Sequence, residues 1–123
     1  MIAARRPGNR RGVAAAHIAG AARAVRAGKN QTICVTLGAR GALAVIGDET
    51  VTIPGRPVSA VDSTGAGDCF VGAVAARLAA GDDLLAAVRY ANAAASICVQ
   101  RRGAGPSMPT GAEVAQALTT MLA

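Results

Sequence analysis

Val61-Asp62-Ser63-Thr64-Gly65-Ala66-Gly67-Asp68-Cys69-Phe70 marks the point at which the chain changes its hydrophobic period. Before it come short β-branched runs. Residues 32–37 (TICVTL), closed by Gly38, read as a buried strand. Residues 42–46 and 50–53 read as two more strands, joined at Gly47-Asp48-Glu49, a hairpin signal. After it, residues 66–80, 84–99 and 111–122 have the length and Ala/Leu content of helices. Gly81-Asp82-Asp83 and a loop over 102–109 separate them. Strands followed by helices, with a glycine-rich loop at the junction, predict an α/β fold whose chemistry lies at that junction.

Upstream, Pro54, Gly55 and Pro57 break the chain after the hairpin. An Ala-rich stretch over 13–27 predicts a helix ended by Gly28, and the opening MIAARRPGNRRG, without usable periodicity, reads as a mobile terminus. Charge divides along the same line. Arg5, Arg6, Arg10, Arg11, Arg23, Arg26 and Lys29 precede any acidic residue, whereas residues 30–123 hold six basic and seven acidic side chains. The domain reading is therefore a basic leader with its helix over 1–29 and a nearly neutral body over 30–123. The arginines of the helix read as a solvated face, with phosphate binding as the minor alternative.

With 123 residues, 52% of them hydrophobic and 16% charged, the chain is of globular composition. One Phe, one Tyr and no Trp argue against a binder that stacks bases on aromatic rings. Cys34, Cys69 and Cys98 are widely spaced and lack a CxxC pair, so they read as buried thiols in a reducing, cytoplasmic compartment. No run of 18 apolar residues and no secretory h-region occurs, so neither a membrane span nor a signal segment is expected.

At the junction, Gly65 and Gly67 let successive backbone N–H groups converge where a helix begins, which makes an anion site suited to phosphate. A plain glycine turn is the competing reading. Asp62 and Asp68 bracket the loop, and an acid beside a phosphate is costly unless it serves a metal, a cation or a proton. Asp68 reads equally as a helix-start acid and as an acceptor of a proton from an attacking hydroxyl. A Walker A loop is excluded because Asp68 and Cys69 stand where Lys and Ser/Thr are required, and Phe70 breaks the dinucleotide pattern GxGxxG.

DSTGAGDCF (62–70) resembles the signature D-T-x-[GA]-A-G-D-x-F of the ribokinase-like, or phosphofructokinase-B-type, carbohydrate kinases, with Ser63 in the usual Thr place. Three further stretches match in order. Thr36-Leu37-Gly38-Ala39-Arg40-Gly41 is similar to the strand-end TLGxxG that lies along the nucleotide phosphates. Tyr90-Ala91-Asn92-Ala93-Ala94-Ala95 resembles the helix lining the adenine pocket. Residues 101–109 (RRGAGPSMP) resemble the RKGAxPSxP loop of ribokinases.

The resemblance implies ATP-dependent phosphorylation of a small sugar, with ribose to ribose 5-phosphate foremost. Asp68 would be the base, and Gly65, Ala66 and Gly67 the anion hole. Thr36, Leu37, Gly38, Ala39, Arg40, Gly41, Gly67, Asp68 and Asn92 would bind nucleotide. Asp62, Thr64, Cys98, Arg101, Gly103 and Ser107 would hold a monovalent cation such as K⁺, with Mg²⁺ accompanying ATP. It further implies the C-terminal part of a three-layer α/β/α sandwich, lacking the N-terminal half and its β-lid, since the N-x-x-E motif and sugar-holding residues of the family are not found here. An incomplete sheet predicts that the strand over 32–37 lacks a neighbour and that the isolated chain is either marginally stable or self-associating. No specific nucleic-acid partner is expected. The reading from another class is a non-catalytic nucleotide-binding or interaction module whose basic leader adheres to polyanions.

Overall fold

A computed structural model of the chain describes residues 2–5 and 15–122, which divide into two compact units, one ending at Gly55 and the other beginning at Arg56. The first unit is built on a four-stranded sheet in the order β1 (Ile2–Arg5), β2 (Ile33–Thr36), β3 (Gly41–Ile46), β4 (Glu49–Pro54). β1 and β2 run parallel, with Ile2 opposite Ile33 and Arg5 opposite Thr36. β2 to β4 form antiparallel pairs, with Cys34 opposite Ala44 and Ala44 opposite Val51.

Helix α1 (Ala15–Val25) connects the parallel pair and packs on β2 and β3. Its small residues Ala19 and Ala22, with Ile18, meet Ile33, Val35, Leu37, Leu43 and Val45, the alternate residues of the two strands. Cys34, Ala42 and Ala44 on the opposite sheet face are fully buried as well, so β2 and β3 read as continuous apolar runs rather than alternating ones.

Two expectations are corrected. The opening segment was expected to carry no regular structure, but Ile2–Arg5 forms β1; a four-residue IAAR strand is too short to show a period, and its pairing with β2 decides it. The remainder of that reading, over 6–14, lies outside the described residues. β2 was expected to lack a neighbour, but β1 and β3 pair with both of its edges.

Arg23, in the last turn of α1, and Arg26, just after the helix, both reach across to the β3–β4 turn. Arg26 donates to Gly47 O at 2.5 Å, and Arg23 donates to Thr50 Oγ1 at 2.7 Å and to Asp48 O at 3.3 Å, so both grip the β3–β4 turn. Lys29 adds an exposed ion pair to Asp48 at 3.5 Å.

The second unit consists of α2 (Ala66–Ala79), α3 (Leu84–Cys98) and α4 (Gly111–Leu122) with their connecting loops. α3 starts at Asp83, whose carboxylate caps the Ala86 amide at 2.8 Å. Its Ala-rich faces let both other helices approach closely, and Cys69, Ala93, Ala94, Cys98 and Val114 form the shared core. Arg77 binds Asp82 through two bonds of 2.7 and 3.0 Å and lies 5.1 Å from the Tyr90 ring centroid, fixing the α2–α3 connection. Among the described residues, no helix is long and apolar enough to cross a membrane.

Candidate active site

The helix predicted from residue 66 begins there, and the residue before it makes the turn. Gly65 is left-handed, at φ +80°, and a Cβ placed on it would lie 3.1 Å from Ala104 Cα and 3.2 Å from Ala104 Cβ. The loop after α3 is therefore pressed against this turn. The Cys69 amide donates to Gly65 O at 2.8 Å and the Ala66 amide to Ser63 O at 3.2 Å. The amides of Gly67 and Asp68 stand in the first helical turn, where no carbonyl four residues back within the helix can receive them. The Asp68 side chain is exposed in that turn, and among the described residues nothing bonds its carboxylate. An exposed carboxylate beside outward amides at the positive end of a helix can accept a proton from a group held on a bound anion.

Asp62 organises the surrounding loops. Its Oδ1 accepts from the Thr64 amide at 2.9 Å and its Oδ2 from the Gly103 amide at 3.0 Å. The Val61 and Asp62 amides both donate to Val99 O, at 2.7 and 3.0 Å. Hydrogen bonding from Thr64 and from the Gly103 amide, with the Arg102 charge nearby, holds the Asp62 carboxyl at about 2.

The 101–109 loop is tied down at its other end too. Ser107 is fully buried; its hydroxyl donates to Ala104 O at 2.6 Å, and Cys98 Sγ lies 3.1 Å from Ser107 Oγ. Arg101 forms an ion pair with Glu113. Glu113 Oε1 also accepts from the Thr110 amide at 3.0 Å, while Thr110 Oγ1 accepts from the Glu113 amide at 3.2 Å, so Thr-x-x-Glu is a capping box starting α4. Burial pushes the Cys69 thiol up to about 11, with Cys98 beside it, and burial raises the Cys34 thiol as well. All three cysteines are free and buried.

Of the residues assigned to the cation site, Asp62, Thr64 and Gly103 are in direct hydrogen-bond contact, and Cys98 touches Ser107. Arg101 is turned by its side chain to α4. Asn92 is buried on α3. Thr36, Leu37, Gly38, Ala39, Arg40 and Gly41 belong to the first unit, where residues 38–40 form a 3₁₀ turn between β2 and β3. The Leu37 amide closes it on Gly41 O at 2.8 Å. Gly41, at φ +94°, admits no side chain, because a Cβ there would lie 2.0 Å from Ile53 O.

Sequence reasoning missed Val99, Ala104 and Glu113. Only Glu113 left a signal, the TGAE spacing at 110–113. Among the described residues, no group of three or more His, Cys, Asp or Glu could hold a metal ion.

Comparison with known proteins gives one consistent result. Residues 9–111 match the pfkB family carbohydrate kinase model. The ribokinase of Bacillus subtilis is 47% identical over 85 residues, 69% of this chain and 29% of that protein. The crystal structure of ribokinase from Thermotoga maritima superposes with a TM-score of 0.70 at 42% identity, over 72% of this chain and 30% of that one. Arabidopsis thaliana ribokinase, complexed with ribose and ATP, gives 0.67 at 39% identity over 71% and 28%. The chain thus spans under a third of the length of each of these relatives.

Proposed function

The chain belongs to the pfkB family of carbohydrate kinases, and we propose that it supplies the nucleotide-binding, proton-accepting part of a kinase that moves the γ-phosphoryl group of ATP to a sugar hydroxyl. Ribose, phosphorylated at its 5-position, is the acceptor we favour, because 101–109 matches the ribokinase loop and a ribokinase is 47% identical over 85 residues. The observation that carries this reading is Asp68, exposed and unbonded among the described residues, in the first turn of α2 beside the outward amides of that turn.

Phosphoryl transfer needs positioning and charge stabilisation more than covalent help. Asp68 takes the proton of the sugar hydroxyl as its oxygen bonds to the γ-phosphorus and the bond to the bridging oxygen of ADP breaks. The amides of Gly67 and Asp68 face the charge on the equatorial oxygens in the manner of an oxyanion hole, whereas the Ala66 amide, assigned to that hole from the sequence, is held by Ser63 O at 3.2 Å. The family resemblance assigns nucleotide contacts to the TLGARG turn at 36–41 and to Asn92.

The donor set assigned to a monovalent cation fits one. It is all oxygen and carries a single formal negative charge, from the Asp62 carboxylate, the Ser107 hydroxyl and the carbonyls of Thr64, Cys98, Arg101 and Gly103. A K⁺ held there would supply positive potential beside the anion turn. Mg²⁺ would arrive on ATP and neutralise its phosphates. Three free buried thiols agree with a reducing cytoplasmic setting. Every residue given a role lies in 30–123.

The test grafts residues 30–123 into the Bacillus subtilis ribokinase in place of its matching segment and assays phosphoryl transfer from ATP to ribose with Mg²⁺ and K⁺. Transfer to ribose by the chimera is expected, and Asp68→Asn is expected to lower turnover by about 10²–10⁴-fold, the usual worth of a positioned base. An unchanged rate in that variant removes Asp68 from the mechanism.

A further inference from the structure

Asp62 carries a second load besides the one the resemblance gives it. Both of its oxygens are engaged by main-chain donors, Thr64 two residues ahead and Gly103 forty-one residues away. These bonds join the turn leading into α2 to the loop leaving α3. The same two loops meet at Gly65, where a Cβ would stand 3.1 Å from Ala104 Cα, so the facing loop would have to give by a few tenths of an ångström. Val99 O, at the end of α3, holds the amides of Val61 and Asp62 from the other side. On either side of Gly103, the loop is anchored by Arg101 to Glu113 and by Ser107 to Ala104 O.

We propose that Asp62 is a positioning residue, a two-loop latch that sets the Gly65–Asp68 turn against residues 103–104 by accepting one backbone amide from each loop, whether or not a cation is bound. The inference rests on reading that turn as the phosphate site, since the latch matters to function by fixing where the amides of Gly67 and Asp68 point. Only an ionised carboxyl on a short stem meets the requirement. Asparagine offers one acceptor and turns an NH₂ donor toward the second amide, so it leaves one of the two N–H groups facing a donor.

The experiment uses the 123-residue chain in lithium buffer without K⁺ and reads backbone amides by NMR. In the unaltered chain, a scalar coupling across the hydrogen bond from the Gly103 nitrogen to the Asp62 carboxyl carbon is expected. The Thr64 and Gly103 amide protons should be shifted downfield and protected from exchange. Asp62→Asn should remove the downfield shift and speed exchange of at least one of these two amides about tenfold or more, the effect of losing one charge-assisted bond. Val88 and Ala94 in α3 should be unchanged, which reports that the variant is folded. A missing coupling, or protection that arises only when K⁺ is added, overturns the latch without any variant.

ADP with Mg²⁺ is then titrated while the Gly67 and Asp68 amides are followed. Binding about tenfold weaker in Asp62→Asn in lithium buffer, and not restored by K⁺, supports the positioning role; equal affinity, or full rescue by K⁺, overturns it. If ADP leaves these amides unmoved in the unaltered chain, the phosphate reading of the turn fails, and the coupling across the hydrogen bond still decides the latch.

Discussion

Gly65→Ala and Gly67→Ala place one methyl group on two glycines of a single turn, and the structure gives them opposite signs. At Gly65 the backbone is left-handed, which costs a residue with a Cβ about 1–2 kcal/mol. The new carbon would also stand 3.1 Å from Ala104 Cα, and moving that loop adds about 1 kcal/mol. Stiffening the unfolded chain returns about 0.4–1 kcal/mol, so Gly65→Ala is expected to destabilise by about 2 kcal/mol. At Gly67 the backbone is helical and a Cβ meets nothing within 4 Å, so alanine should stabilise by about 0.5–1 kcal/mol. The gap between the two variants approaches a hundredfold in folding constant, from about 1.4 kcal/mol per factor of ten. Urea titration followed by circular dichroism at the helix band measures it, since the chain has no Trp and a single Tyr. A neutral or stabilising Gly65→Ala would mean that Gly65 is not left-handed or that Ala104 does not press on it, and a destabilising Gly67→Ala would mean that the space beside Gly67 is not open.

The three thiols should resist iodoacetamide in the native protein at pH 8 and react fully after denaturation; at about 11 for Cys69, only about one part in a thousand is thiolate at that pH, so rapid native labelling of Cys69 would contradict its placement. Thr110→Ala should cost about 0.5–2 kcal/mol by removing the cap of α4, and amide exchange should show fraying confined to that helix. Asp82, hydrogen-bonded and charge-paired by Arg77, titrates below the ordinary carboxylate range. The stability from that pair is present above the unfolded-state value and is lost as pH falls through the lower folded value; carboxyl carbon shifts across an acid titration check it, and an ordinary or raised value for Asp82 refutes it.

What the sequence disclosed follows the range of the forces involved. The β3–β4 hairpin was legible because Gly47-Asp48 and the flanking β-branched residues act within a few positions of one another. The three helices of the second unit were legible within one residue at each end, because alanine content and flanking Gly or Asp decide helix limits locally. β1 was not legible, since Ile2-Ala3-Ala4-Arg5 has no strong strand preference and becomes a strand only by lying beside β2. Asp62 was singled out as an acid next to a glycine turn, but its Gly103 partner is forty-one residues away, and no local pattern announces a carboxylate that bonds main chain at that range. The hold of Arg23 and Arg26 on the β3–β4 turn was hidden for the same reason.

That hold has a consequence for how this part of the chain tolerates change. Arg26 and one branch of Arg23 grasp carbonyl oxygens of Gly47 and Asp48, atoms that every residue type possesses. The grip is therefore blind to which side chain occupies position 48, and drift there should pass silently apart from the exposed pair with Lys29. The spacing of the tip is a different matter. One added residue would displace both carbonyls from guanidinium groups anchored on α1, so the end of a hairpin, ordinarily among the most permissive places to lengthen a chain, becomes a place where length is guarded and identity is not.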